Sequence, residues 1–129
     1  MRYLALIAML FWCAPVLAGW TYVTSTASGD DRFIDVETVR KEGNLRRVWQ
    51  VINFEKPNQY GWSSQRGRIE IDCKNETVQV LSSMSFAEKF AGGKTLFEMP
   101  KSDSGGPIDI APDSVMWAVM EKVCKSSVR

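Results

Sequence analysis

The groups in this sequence whose types and spacing could do chemistry are few: next-but-one acids at Glu70 and Asp72, three cysteines, and a Gly-Gly-Lys-Thr run at 92–95. Histidine is absent from all 129 residues. Its absence removes Ser-His-Asp and Cys-His nucleophilic catalysis, and with them His-based zinc or haem ligation. Two carboxylates suffice for some hydrolases, but Glu70 and Asp72 lie on an alternating segment and share its polar face, the one expected in solvent. Asp30-Asp31 and Asp103 are the other acidic candidates, and their spacing selects no pair. Gly92-Gly93-Lys94-Thr95 has the ending of a G-x-x-x-x-G-K-[ST] phosphate loop without its first glycine, and Lys94 opens a strand. Asn75-Glu76-Thr77 is a formal N-glycosylation sequon placed on a turn. The residues therefore point away from an enzyme, and they supply neither a metal set nor a cofactor motif.

The cysteines carry a sharper inference. Cys13 falls in an N-terminal segment that begins with the charged Met1-Arg2-Tyr3, runs apolar over 4–17 and ends in Val16-Leu17-Ala18. That order describes a secretory signal peptide, residues 1–18, removed after Ala18. The apolar run of about 14 residues is shorter than the roughly 20 of a spanning helix. Phe11-Trp12 ahead of Cys13 fits a lipid-attachment signal poorly. The mature chain, 19–129, has the length of one domain with one modest core. Loss of Arg2 balances the 16 basic against the 15 acidic residues. A neutral chain offers no electrostatic case for nucleic acid or an anionic membrane, and its basic clusters (Arg40-Lys41, Arg46-Arg47, Arg66 with Arg68), interspersed with acids, are expected to be solvated faces. Cys73 and Cys124 remain, and in an oxidising compartment a lone pair bridges. The alternatives are two free thiols or a metal site, the latter short of ligands.

The elements that would position these groups are strands first and a helix last. Residues 20–25 are aromatic and β-branched and stop at Ser28-Gly29-Asp30-Asp31. Residues 32–36 form a short second strand, and 40–44 hold the turn Glu42-Gly43-Asn44. The longest strand, 45–54, has apolar residues on both faces, as in a central strand covered on both sides. Segment 66–73 alternates, with Ile69, Ile71 and Cys73 facing the core. Lys74-Asn75-Glu76 reverses the chain into 77–86, and Gly92-Gly93 separates 86–90 from 94–99 in a last hairpin. Residues 101–107 have loop composition. Pro112-Asp113-Ser114 then starts a helix whose stripe is Met116, Val119, Met120, Val123 and Cys124. The disulfide would pin that helix to the sheet.

Tyr60 and Trp62 sit in a loop with Pro57 and Gly61. Exposed there, they would make a binding site for protein or sugar; folded inward, they would close the end of a small core. Trp49, Trp117 and the methionines Met116 and Met120 have core spacing.

Several of these pieces, in this order, resemble the surface-adhesin protein E family, small exported proteins of Gram-negative bacteria. They are Trp20-Thr21-Tyr22-Val23, Arg32-Phe33-Ile34-Asp35 with Thr38-Val39, the 44–51 segment with Trp49, Glu70-Ile71-Asp72-Cys73, and the helix after Ile110-Ala111-Pro112-Asp113-Ser114 that ends in Val123-Cys124. The resemblance implies an α+β fold, an antiparallel sheet of about six strands with a C-terminal helix tethered by the disulfide. It also implies a periplasmic, secreted or cell-surface protein that binds host matrix proteins, such as laminin and vitronectin, or other proteins, and that can form homodimers. A small periplasmic enzyme or enzyme inhibitor on the same sheet is the other expectation in play.

Overall fold

The computed structural model describes residues 19–100 and 105–125. The expected signal peptide, 1–18, and the Asp103 part of the 101–107 loop lie outside the described residues.

One antiparallel sheet and one helix make up the chain. The strands are β1 (Trp20–Ser25), β2 (Asp31–Asp35), β3 (Arg40–Glu42), β4 (Leu45–Asn53), β5 (Ser64–Asp72), β6 (Thr77–Glu88), β7 (Gly92–Glu98) and β8 (Ile108–Asp109); the helix is α1 (Val115–Lys125). The main sheet runs β1-β2-β4-β5-β6-β7, which matches the expected six strands. Two short strands enlarge it: β3 pairs with β4, and β8 pairs with β6. The segment read as a turn at 40–44 is thus a tight hairpin, closed where Glu42 pairs with Leu45 and Gly43 takes φ 58°. Glycine suits that left-handed position because it has no Cβ to clash.

Register follows from alternation. Val48 pairs with Ile69 and Ile69 with Val80, while Ile71 pairs with Val78, so one face of the sheet is an aliphatic plate. Ile34, Val48, Ile69, Ile71, Val119 and Val123 are fully buried where α1 lies on this plate. The opposite face has its own smaller cluster. Val51 and Phe86 are buried there, and the rings of Tyr22, Phe33 and Phe90 meet at 5.7 and 5.0 Å. β4 is therefore a central strand covered on both faces, as its sequence indicates.

The helix begins at Val115, three residues after Pro112. Asp113 takes φ 61° and cannot be helical. Ser114 is the cap, accepting the Trp117 amide at 3.1 Å and donating its hydroxyl proton to the Ala111 carbonyl at 2.7 Å. Pro112 and Asp113 lead into the helix rather than forming its first turn. At the other end Cys124 is bonded to Cys73, with Cα atoms 5.9 Å apart. The free-thiol and metal alternatives are excluded by that bond.

Candidate functional site: an aromatic ladder on the sheet edge

The loop between β4 and β5 is braced by one side chain. Asn58 Oδ1 accepts the amides of Tyr60 and Trp62 at 2.9 and 3.0 Å, and the Asn58 amide donates to the Trp62 carbonyl at 3.0 Å. Gly61 sits at φ 80°, where its amide reaches the Asn58 carbonyl. Asparagine and glycine are the residues such a turn demands, the first for its short acceptor and the second for its positive φ. The Ser63 amide then donates to the Phe86 carbonyl, tying the loop to β6.

This bracing holds Tyr60 and Trp62 against each other with ring centroids 5.2 Å apart. Trp62 stacks in turn on Phe97 of β7 at 5.4 Å, with ring planes 24° apart. The three rings form a ladder at the sheet edge. Tyr60 is 65% exposed and Phe97 45%, with neighbouring Leu96 also exposed. The ladder belongs to the surface, so of the two sequence expectations for this loop only Trp62 partly meets the inward one. β7 ends the strand order and is exposed along nearly its whole length. Phe97 and Leu96 were not singled out from the sequence, because a Gly-Gly-Lys-Thr-Leu-Phe-Glu strand gives no sign of which loop will lie beside it.

The other sequence candidates are occupied elsewhere. Glu70 and Asp72 do share a face, but each is committed to structure. Glu70 pairs with Arg47 at 2.8 Å. Asp72 accepts the amides of Lys74 and Asn75 and the Asn75 side chain, and the Asn75 amide above all holds its carboxyl below the usual range. Asp30 accepts the Glu55 amide and Asp31 the Ser25 hydroxyl. Gly92 begins β7 and Lys94 lies within it.

In two of the basic clusters one arginine is not a freely solvated group. Arg46 is buried, and its Nη1 donates to the carbonyls of Gly43 and Leu45. Arg66 lies between Trp49 and Phe86, 5.7 and 5.3 Å from the ring centroids. Cation–π attraction and packing of the aliphatic stem suit this half-buried place without an acid partner. Charge spacing alone cannot show this, because both partners are aromatic and come from other strands.

A disulfide-stapled antiparallel α+β domain with an aromatic ladder on one edge is thus the class that fold and surface define. Over residues 20–125 the sequence matches the surface-adhesin protein E family, and the chain belongs to that family. Solved structures of Haemophilus influenzae protein E share its fold. Crystal form II of that protein is 17% identical with a TM-score of 0.64, covering 84% of this chain and 89% of that one. The protein E of non-typeable H. influenzae is 17% identical with a TM-score of 0.63, covering 84% and 77%. No curated protein matches the chain. Membership of a surface-adhesin family implies an exported or cell-surface protein. Among the described residues no helix is long and apolar enough to cross a membrane.

Proposed function

We propose that this chain is an exported, non-enzymatic protein-binding domain that grips its partner with the Tyr60–Trp62–Phe97 ladder and the open edge of β7. Residues 1–18 direct export and are removed, leaving 19–129 in the periplasm or at the cell surface. The observation that carries the reading is the ladder itself. Stacked aromatics on a braced loop give large contact area with little side-chain entropy left to lose, which is the profile of a binding hot spot. An extended partner segment adding to β7 would gain main-chain hydrogen bonds while its side chains meet the rings. Homodimerisation belongs to the same proposal, with β7 of two copies as the pairing edges.

Surface plasmon resonance against immobilised laminin and vitronectin tests the adhesive reading. The wild-type domain binds at least one of them saturably, and the Tyr60→Ala/Phe97→Ala variant binds at least about tenfold more weakly. Equal binding by the variant would remove the ladder from the site. No binding by the wild type to either protein would overturn matrix adhesion.

A further inference from the structure

On the helix side of the sheet, beyond the aliphatic plate, the face turns polar and hollow. Arg32 of β2, Gln50 of β4, Gln65 of β5 and Ser83 of β6 line a cavity of about 200 Å³, with Val80 and Met116 as its apolar wall. Arg32 Nη1 donates to Gln50 Oε1 at 2.9 Å, and Gln65 Nε2 donates to Ser83 Oγ at 2.7 Å. Arg32 Nε is buried with no partner. Among the described residues no carboxylate lies within ion-pairing distance of Arg32. Gln50 is 7% exposed and spends its carbonyl on Arg32, while its amide N–H groups make no hydrogen bond among the described residues.

An arginine cannot escape burial by losing its proton. Here burial lowers its pKa, and no opposing charge restores it. Arg32 is half-buried, and where its guanidinium is withdrawn from water, as at Nε, no opposing charge compensates it; a desolvated cation is stabilised by a paired anion. The cavity supplies what a paired anion needs: a guanidinium fork, a free amide donor and a hydroxyl. Its wall adds something an inorganic ion would not use, the apolar surface of Val80 and Met116. At about 200 Å³ it lies below the roughly 300–1,000 Å³ of drug-sized sites, which limits the occupant to a few heavy atoms. We propose that this cavity is a binding site for a small organic carboxylate, its carboxylate on Arg32 and Gln50 and its short apolar tail against Val80 and Met116. The site is separate from the aromatic ladder and does not depend on the adhesive reading.

The test is an NMR titration of the oxidised protein with sodium butanoate, in parallel with neutral butanamide and with sodium sulfate. Saturable shifts are expected at the Gln50 and Gln65 side-chain amides and the Met116 methyl, with no saturation by butanamide and weaker binding of sulfate. Arg32→Met should keep the native spectrum and weaken butanoate by about tenfold or more, and Arg32→Lys, which keeps charge but not the fork, should weaken it by less. Absence of saturation in the wild type, an equal response to butanamide, sulfate binding as tightly as butanoate, or shifts that persist in Arg32→Met would each overturn the proposal. The wild-type arms decide it even if a variant misfolds.

Discussion

Asp72 and Ser64 show how single polar residues hold the turns of this sheet. Asp72 is half-buried and fastens the β5–β6 reversal by accepting three hydrogen bonds, two of them at 3.0 Å from the amides of Lys74 and Asn75. These bonds favour its carboxylate and lower its pKa in the fold. The stabilisation is therefore complete above the unfolded value near 4 and is lost as pH falls through the lower folded value. Asp72→Asn should lower the urea midpoint at about pH 7, with the gap to wild type closing by about pH 2; a gap independent of pH would remove ionisation from the explanation. Ser64 is fully buried. Its hydroxyl donates to the Glu88 carbonyl at 2.6 Å and accepts the Ala91 amide at 2.9 Å, while Asn53 Oδ1 accepts the Phe90 amide at 2.8 Å. Phe90 and Ala91 both sit at positive φ, and these two side chains hold them there. Ser64→Ala removes both of these hydrogen bonds from the Glu88–Ala91 turn and should cost about 1–3 kcal/mol by urea denaturation. The sequence does not disclose this pair. Alternation marks residues 53 and 64 as polar, and only the strand register (Asn53 opposite Ser64) brings both under a turn that lies 24 to 37 residues further along.

At the scale of elements, α1 is the part whose position was most legible and whose stability is most borrowed. The stripe Met116, Val119, Met120, Val123 and Cys124 identifies its buried face, and Val119, Met120 and Val123 are buried in the structure. With 11 residues the helix is shorter than the roughly 12–15 at which isolated helices become even marginal in water. Its docking rests on that stripe, on the Ser114 cap and on the Cys73–Cys124 bond. Closing the 51-residue separation between the cysteines restricts the unfolded chain. Cys73→Ser or Cys124→Ser should therefore lower stability by about 2–5 kcal/mol. Trypsin should also cut faster after Lys122 or Lys125 in the reduced protein; an unmoved urea midpoint on reduction would show that the staple contributes nothing. Ser114→Ala should cost about 1 kcal/mol through the lost cap. What the sequence hid at this scale were β3 and β8, of three and two residues. Segments that short contain no measurable period, and they exist because a neighbouring long strand offers them hydrogen bonds.

For the whole molecule, the fold was legible because alternation, turn chemistry and cysteine pairing all favour the same sheet and the same stapled helix. The surface was not, because the ladder is assembled from a loop and an edge strand more than 30 residues apart, Tyr60 and Trp62 against Phe97. Edge position is a property of the complete strand order, so no local pattern reports it. It also sets the risk and the use of β7: an open edge is a template for another chain unless something blocks it. The Met99 amide donates to the Ser83 carbonyl, and in an antiparallel ladder the donors alternate inward and outward. Glu98 therefore turns its N–H away from β6 while still pairing with Met84. Proline at 98 removes that outward donor without breaking a bond to β6, the kind of position where edge strands tolerate it. Glu98→Pro should leave the urea midpoint nearly unchanged, within about 1 kcal/mol. If β7 of two copies pair, sedimentation should show a concentration-dependent dimer for the wild type and a monomer for Glu98→Pro. The same variant should bind laminin or vitronectin more weakly if an extended segment adds to the edge, whereas contact through the rings alone would leave that affinity unchanged and dependent on Tyr60 and Phe97. A dimer that survives Glu98→Pro would place the self-association surface away from β7.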